Sequence, residues 1–398
     1  MGHKESMSII RSLADTDLYT TTMQQAILHQ FPATQTRFEF NCRTPRAGLD
    51  KIANRVRDEI NALGDLSYTK DELDFIGSLR FIKRDYVEFL RMFRPNPDNV
   101  TVRVDDAGEL KISATGSWLH NIYWEVPILA IVSELNTEMQ SGVTDAMGDP
   151  EIQNRKLNLF NMRAPKNFRF SEFGTRRRLS RAWHEKVVQD LKRQCGEHLV
   201  GTSNVYFAMK YGLTPIGTMA HQWIMAGQGM QQTRLANHQK YMLEAWSSEY
   251  RGDLGYALTD TIGIDAFLND FDLYLAKLYD GCRLDSGDMD VTIDKVIQHY
   301  KSLRIDPKTK SAIPSDNLDF ERAFDLTNTW GDQINISCGI GTYLTNKCRD
   351  DVKPASIVMK MASCNGQPVA KISDEPEKAT CEDAEYLRYL KSVFGVRQ

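Results

Sequence analysis

From about residue 126 onward the chain repeats one pattern: a short apolar run, a turn rich in Gly, Ser or Asp, then a helical stretch. "LVGTSNVYFAMKYG", "TPIGTMAHQW", "YALTDTIG", "YDGCRLDSGD", "SAIPSDNLD" and "INISCGIGTYL" all follow it. Strands that alternate with helices pair in parallel, and so many in succession favour closure into an α/β barrel over an open doubly wound sheet. In such barrels the chemistry sits on the loops after the strands. The marked turns fall at those loops, and they carry Ser203, His221, Asp285 and Gly341.

The first 125 residues read differently. "ADTDLYTTTMQQAILHQF" predicts a helix over 14–30, with Asp15 or Thr16 as N-cap. "TQTRFEFNCR" (34–43) alternates as a strand does, 50–95 is helical in rhythm, and 99–116 forms a hairpin turning at Asp106 to Gly108. This is an α+β region ending near 125. Beyond it, helices are expected at 127–145, 149–163, 176–195, 230–249, 264–278, 289–304 and 319–330.

Composition removes several function classes. With 49 basic and 53 acidic residues the net charge is −4, so no global charge draws nucleic acid or an anionic membrane, and any anion is bound locally. Seven scattered cysteines without a CxxC pair fit a reduced, cytoplasmic protein. "MGHKESMSIIRSL" lacks the features of a secretory signal. "VPILAIVSEL" (126–135) spans about half a membrane and is expected to be a buried helix.

Four loops could bind an anion, and each has a plainer reading. In "CGIGT" (338–342) the glycines let backbone N–H groups approach a phosphate, or else form a tight turn. "DGCRLDSGD" (280–288) sets Arg283 between carboxylates that suit sugar hydroxyls or Mg²⁺, although Asp288 could simply cap the next helix. In "SEFGTRRRLSRAW" (171–183) Phe173 could stack a planar ring while an arginine grips a carboxylate or phosphate. A solvated basic helix start would account for part of it. "SDNLD" (315–319), with Asn317, is a strand-end loop or a helix cap. His221 alone reads first as a structural histidine. Together the loops describe a pocket for a phosphorylated sugar and a planar partner.

"TDLYTTTM", "EFGTRRR", "VGTSNV", "GTMAHQW", "RLDSGD", "SCGIGT" and "KMASCNGQPVAKISD" occur in the order found in nicotinate phosphoribosyltransferases, whose bacterial and fungal branch of about 400 residues this chain resembles from Asp15 to Val396. The resemblance implies a type II phosphoribosyltransferase fold. An N-terminal α/β domain (1–125), rejoined by the chain end (365–398), would stand beside an irregular α/β barrel (126–364). The implied reaction joins nicotinate to 5-phosphoribosyl 1-diphosphate, giving nicotinate mononucleotide and diphosphate in NAD salvage. It is coupled to ATP through a phosphohistidine, with Mg²⁺ entering on the substrate phosphates.

By motif, the resemblance makes His221 the phosphorylated residue. Phe173, with Tyr19 from a partner subunit of a homodimer with shared sites, would sandwich the pyridine ring, and Arg176 with Ser203 would hold its carboxylate or neighbouring groups. Arg283 and Asp285 would address the diphosphate and ribose. Gly339, Gly341 and Thr342 would take the 5-phosphate, helped by Asn317. Lys360 and Lys371 match family lysines without an assigned role. Nicotinamide-using relatives carry Asp where this chain has Ser203, which points to nicotinate. A catalytically silent nucleotide-binding regulator is the alternative from another class, and the intact motifs weigh against it.

The chemistry is compatible. Displacement at the ribose carbon passes through an oxocarbenium-like state, so the site must align the pyridine nitrogen and stabilise leaving charge. That nitrogen has its own lone pair and needs no general base, which leaves covalent chemistry with ATP as the task for a histidine.

Overall fold

The computed structural model describes residues 8–396. The first seven residues, part of the stretch read as lacking a secretory signal, lie outside the described residues.

The first region is built on an antiparallel sheet. Its strands are β1 (Gln35–Cys42), β2 (Val100–Val104) and β3 (Leu110–Ser117), with β3 between the other two. Phe38 and Phe40 on β1 are buried while Arg37 and Glu39 are partly exposed, which is the period-2 pattern of a half-covered strand. β2 and β3 form the expected hairpin, and its turn holds Gly108 at φ +76°, a conformation glycine adopts without strain. The helix Leu18–Gln30 and three helices between Ala53 and Met92 complete the region.

The second region is parallel throughout. Strands β4 (Phe170–Glu172), β5 (Leu199–Thr202), β6 (Tyr256–Leu258), β7 (Gly281–Leu284), β8 (Ser311–Pro314), β9 (Asn335–Ile336) and β10 (Cys338–Ile340) form two arcs, ordered 5-4-10 and 9-8-7-6. The arcs are joined because β9 and β10 are one strand interrupted at Ser337, whose N–H still donates to Ala312 O at 3.2 Å. On the other side Pro215 bridges Thr202 in parallel, and Thr218 Oγ1 donates to Tyr256 O at 3.3 Å. Residues 215–218 thus stand between β5 and β6 and close an irregular α/β barrel.

The chain then returns to the first sheet. β11 (Ile357–Cys364) pairs antiparallel with β1 from Thr36↔Cys364 to Cys42↔Ile357, and β12 (Gln367–Pro368) follows at the edge. The return therefore starts at Ile357, inside the stretch that the sequence assigned to the barrel. "IVMKMASC" is buried on both faces, and such a run reads alike in either sheet.

The apolar stretch 126–135 lies in the buried helix Glu125–Ser141, which Gly142 ends at φ +70°. No helix of the described residues is long and apolar enough to cross a membrane. The helix expected over 176–195 begins only at Arg181, where the Ser180 hydroxyl accepts from Trp183 N–H at 3.0 Å. The preceding arginines turn inward instead. Arg178 is fully buried, with Asp15 and Glu134 each at 2.7 Å. Asp15 is thus an ion-pair partner, and Asp17 occupies the N-cap position of the first helix.

Candidate active site

A cavity of about 240 Å³ opens over the C-terminal ends of the barrel strands. Phe173 follows β4, Asp285 follows β7, Asn317 follows β8 and Gly341 follows β10, while His221 follows the closing segment 215–218. All five line the cavity, with Tyr19, Arg176, Arg283, Thr342, Lys360 and Lys371. The backbone reversal after each parallel strand points its first loop residues at the barrel mouth, which explains why residues so distant in sequence converge.

His221 opens the short helix His221–Ala226, and its Nε2 lies 2.9 Å from Asp260 Oδ1. The second oxygen of Asp260 accepts from Lys371 Nζ at 2.6 Å and Ser286 Oγ at 2.7 Å. Burial, and then the Lys371 charge, bring the His221 pKa down to about 4 against the pull of Asp260. Burial opposes the Asp260 charge, but the Lys371 ammonium and the hydrogen bonds from His221 and Lys371 outweigh it and hold that carboxyl well below its usual range. A neutral imidazole facing an ionised carboxylate through Nε2 must carry its proton there. The lone pair is therefore on Nδ1.

Beside this group, Arg283 reaches Asp285 Oδ1 (3.3 Å), Ser315 Oγ (3.2 Å) and Met219 O (3.4 Å). Burial works against the Asp285 charge, yet Arg283 keeps its carboxyl well below the ordinary range. Asp285 Oδ2 lies 3.9 Å from His221 Nε2.

Arg176 anchors the other end of the cavity, with Nε 3.2 Å from Asp17 and Nη1 3.5 Å from Glu125. Ser203 does not line the cavity. Its hydroxyl donates to Asp17 Oδ1 at 2.6 Å, so it acts on Arg176 at one remove. Gly339 also lies off the wall, paired with Ser171 inside the sheet. A Cβ there would sit 2.6 Å from the Phe173 ring, so this glycine makes room for the aromatic side chain.

Tyr19, which the resemblance assigned to a partner subunit, is placed differently in this structure. It lines the cavity of its own chain, its ring centroid 5.4 Å from the Arg176 guanidinium. The cause is local: Leu18 N–H donates to Ser203 O at 2.8 Å and Asp17 pairs with Arg176, so the first helix is tied to the barrel mouth within one chain.

Eight cationic side chains line the cavity against three acidic ones, which suits a polyanion. Burial lowers the pKa of one of them, Lys360, to about 8. His221, Asp260 and Asp285 bring potential metal-ligand atoms within 4.8 Å of one another. The Asp260 oxygens already serve His221, Lys371 and Ser286, and Asp285 Oδ1 serves Arg283 and Ser315. The set does not make a protein cage for Mg²⁺. It leaves Asp285 Oδ2 for an ion that arrives on phosphates, the usual manner of Mg²⁺.

Asp260, Asp17 and Glu125 were not singled out from the sequence. For Asp260 a signal was present: it stands two residues beyond the apolar run of "YALTDTIG".

Comparisons with known proteins name one family. The profile of the nicotinate phosphoribosyltransferase (NAPRTase) family matches residues 168–398, and that of the NAPRTase N-terminal domain matches 14–133. The nicotinate phosphoribosyltransferase of Bordetella petrii is 45% identical over 97% of this chain and 98% of its own. That of Xanthomonas euvesicatoria is 45% identical over 98% of both. Among solved structures, nicotinate phosphoribosyltransferase from Vibrio cholerae superposes with a TM-score of 0.92 at 38% identity, covering 99% of this chain and 95% of that one. The structure from Porphyromonas gingivalis gives 0.91 at 36% identity, covering 97% and 100%. With the barrel-mouth cavity and its cations in place, these matches establish that the chain belongs to the nicotinate phosphoribosyltransferase family of enzymes.

Proposed function

We propose that this enzyme forms nicotinate mononucleotide and diphosphate from nicotinate and 5-phosphoribosyl 1-diphosphate, a step of NAD salvage, and couples the reaction to ATP through phosphorylation of His221. The observation that carries the ATP step is the neutral, buried His221, held through Nε2 by Asp260 at the edge of a cation-lined cavity. Nδ1 attacks the γ-phosphorus, the bond to the β-phosphate oxygen breaks, and ADP leaves. Hydrolysis of the N–P bond later returns the imidazole and releases phosphate. As Nδ1 becomes quaternised, the Asp260 carboxylate stabilises the positive charge on the ring.

For the transfer itself, Phe173 and Tyr19 offer aromatic faces for the pyridine ring, and Arg176 offers a guanidinium for its carboxylate. Arg283 faces the departing diphosphate and Asp285 the ribose hydroxyls. The turn at Gly341 and Thr342, with Asn317 nearby, receives the 5-phosphate. When bound, Mg²⁺ would neutralise diphosphate charge beside Asp285. The chain's own part is to align the pyridine nitrogen with the ribose carbon and to surround the phosphates with fixed cations.

The test is product formation from nicotinate, the phosphoribosyl donor and Mg²⁺, with and without ATP, beside labelling with γ-labelled ATP. An acid-labile, base-stable label lost in His221→Ala supports the reading. No nucleotide product under either condition refutes the activity, and a label on another residue refutes the role of His221.

A further inference from the structure

Lys156 is a buried cation that the reaction above does not use. It lies on the helix Pro150–Arg163, is 7% exposed, and is not part of the cavity wall. Its Nζ donates to Tyr343 O and to Lys347 O, each at 2.5 Å, and stands 4.6 Å from the centroid of the Tyr343 ring. An ammonium withdrawn from water is expensive unless its donors are satisfied. Here two backbone carbonyls and an aromatic face satisfy them, and burial brings the pKa down to about 8.

Both carbonyls belong to the turn after β10. Leu344 N–H donates to Gly341 O, and the N–H groups of Asn346 and Lys347 converge on Thr342 O, all at 2.9 Å. A single helical turn leaves its first N–H groups and its last carbonyls without internal partners. Lys156 takes carbonyls from the back of this turn, while Gly341, Thr342, Tyr343 and Lys347 contribute to the cavity wall on its front. Polar groups held from behind in this way lose little freedom when an anion binds in front.

We propose that Lys156 is a positioning residue for the phosphoribosyl donor: it clamps the turn Gly341–Lys347 from outside the cavity, so that the turn is already in its phosphate-binding form. This rests on the reading of that turn as the 5-phosphate site. Lys156 itself bonds neither Arg176 nor Tyr19 at the ring-binding end; the far side of the turn bonds that segment through backbone carbonyls, Thr345 Oγ1 donating to Gly174 O at 3.0 Å and Asn346 Nδ2 to Arg177 O at 2.6 Å.

The experiment compares wild type, Lys156→Met and Thr342→Val in steady-state kinetics with nicotinate and the donor varied separately, with thermal unfolding as the check on folding. Lys156→Met is expected to raise the donor KM about tenfold while the nicotinate KM stays within about twofold. A folded Lys156→Met with an unchanged donor KM, or with both KM values raised in step, overturns the positioning role. If the Met variant does not fold, Lys156→Gln, which keeps a neutral donor, is judged by the same split. Thr342→Val separates the two layers. If it leaves the donor KM unchanged, the phosphate reading falls and the proposal with it. If it raises the donor KM while Lys156→Met does not, only the positioning role falls.

Discussion

Asp260→Asn puts the histidine chemistry to its sharpest test, because the neighbours of Asp260 decide which way an amide can face. Lys371 Nζ, 2.6 Å from Oδ2, can only donate. An asparagine there must therefore turn its carbonyl oxygen to Lys371, which aims its NH₂ at His221 Nε2. That nitrogen then accepts, the ring proton moves to Nδ1, and the atom that should attack ATP loses its lone pair. The productive orientation would set the amide NH₂ against the ammonium and leave a buried charge unsatisfied, a penalty of about 3 kcal/mol. That corresponds to a fall of roughly a hundredfold in the rate of His221 labelling. The assay is rapid-quench labelling with γ-labelled ATP. Adding Lys371→Met should restore much of the loss, since the amide is then free to offer its oxygen to His221. Labelling by Asp260→Asn at the wild-type rate, or a double variant no faster than the single one, refutes the reasoning.

Three other outcomes follow from the geometry. Ser203→Asp sets a second carboxylate against Asp17, about 4 kcal/mol of repulsion at an effective dielectric near 20. It should raise the nicotinate KM well above the donor KM, and an equal rise in both would exclude the link through Asp17 to Arg176. Gly339→Ala should displace the Phe173 ring and raise the nicotinate KM severalfold, from an aromatic contact of roughly 1 kcal/mol; an unchanged KM would show that the ring does not contact substrate. Arg178→Met should lower unfolding free energy by about 3–5 kcal/mol, because Glu134 stays buried without its cation and Asp15 keeps only Arg181. The folded Asp15 carboxyl is lowered to about 2 by Arg178 and Arg181 against the effect of burial. Its share, about 2 kcal/mol, is present above pH 4 and lost as pH falls towards 2. Denaturant titrations of both proteins at pH 7 and pH 3 measure it, and an equal acid loss in Arg178→Met would assign the effect elsewhere.

The barrel was legible because its strands are short apolar runs punctuated by Gly, Ser and Asp, a pattern set by local turn chemistry. The loops after those strands gave His221, Asp285, Asn317 and Gly341, all of which line the cavity. What escaped depends on contacts made across the fold. Arg176 and Arg178 look like a helix start by composition, but Asp17 draws the first inward and Asp15 and Glu134 the second. Gly339 matches a phosphate motif, yet its lack of a side chain serves Phe173. β11 has no local mark that tells a barrel strand from the partner of β1. Tyr19 was assigned to a partner subunit by resemblance, and the tie between Leu18 and Ser203 keeps it at home.

The pairing of β11 with β1 also sets a timetable for synthesis. About three hundred residues separate the two strands, so at 5–20 residues per second the ribosome needs roughly 15–60 s to deliver the second after the first. Once β3 has emerged it can cover one side of β1, while the side that β11 takes in the finished sheet waits with its N–H and C=O groups unpaired. An open edge of that kind recruits strands from other chains. The nascent enzyme is therefore most exposed to aggregation after its first sheet has emerged and before its last strands have, and the barrel that holds the chemistry has to be made within that window.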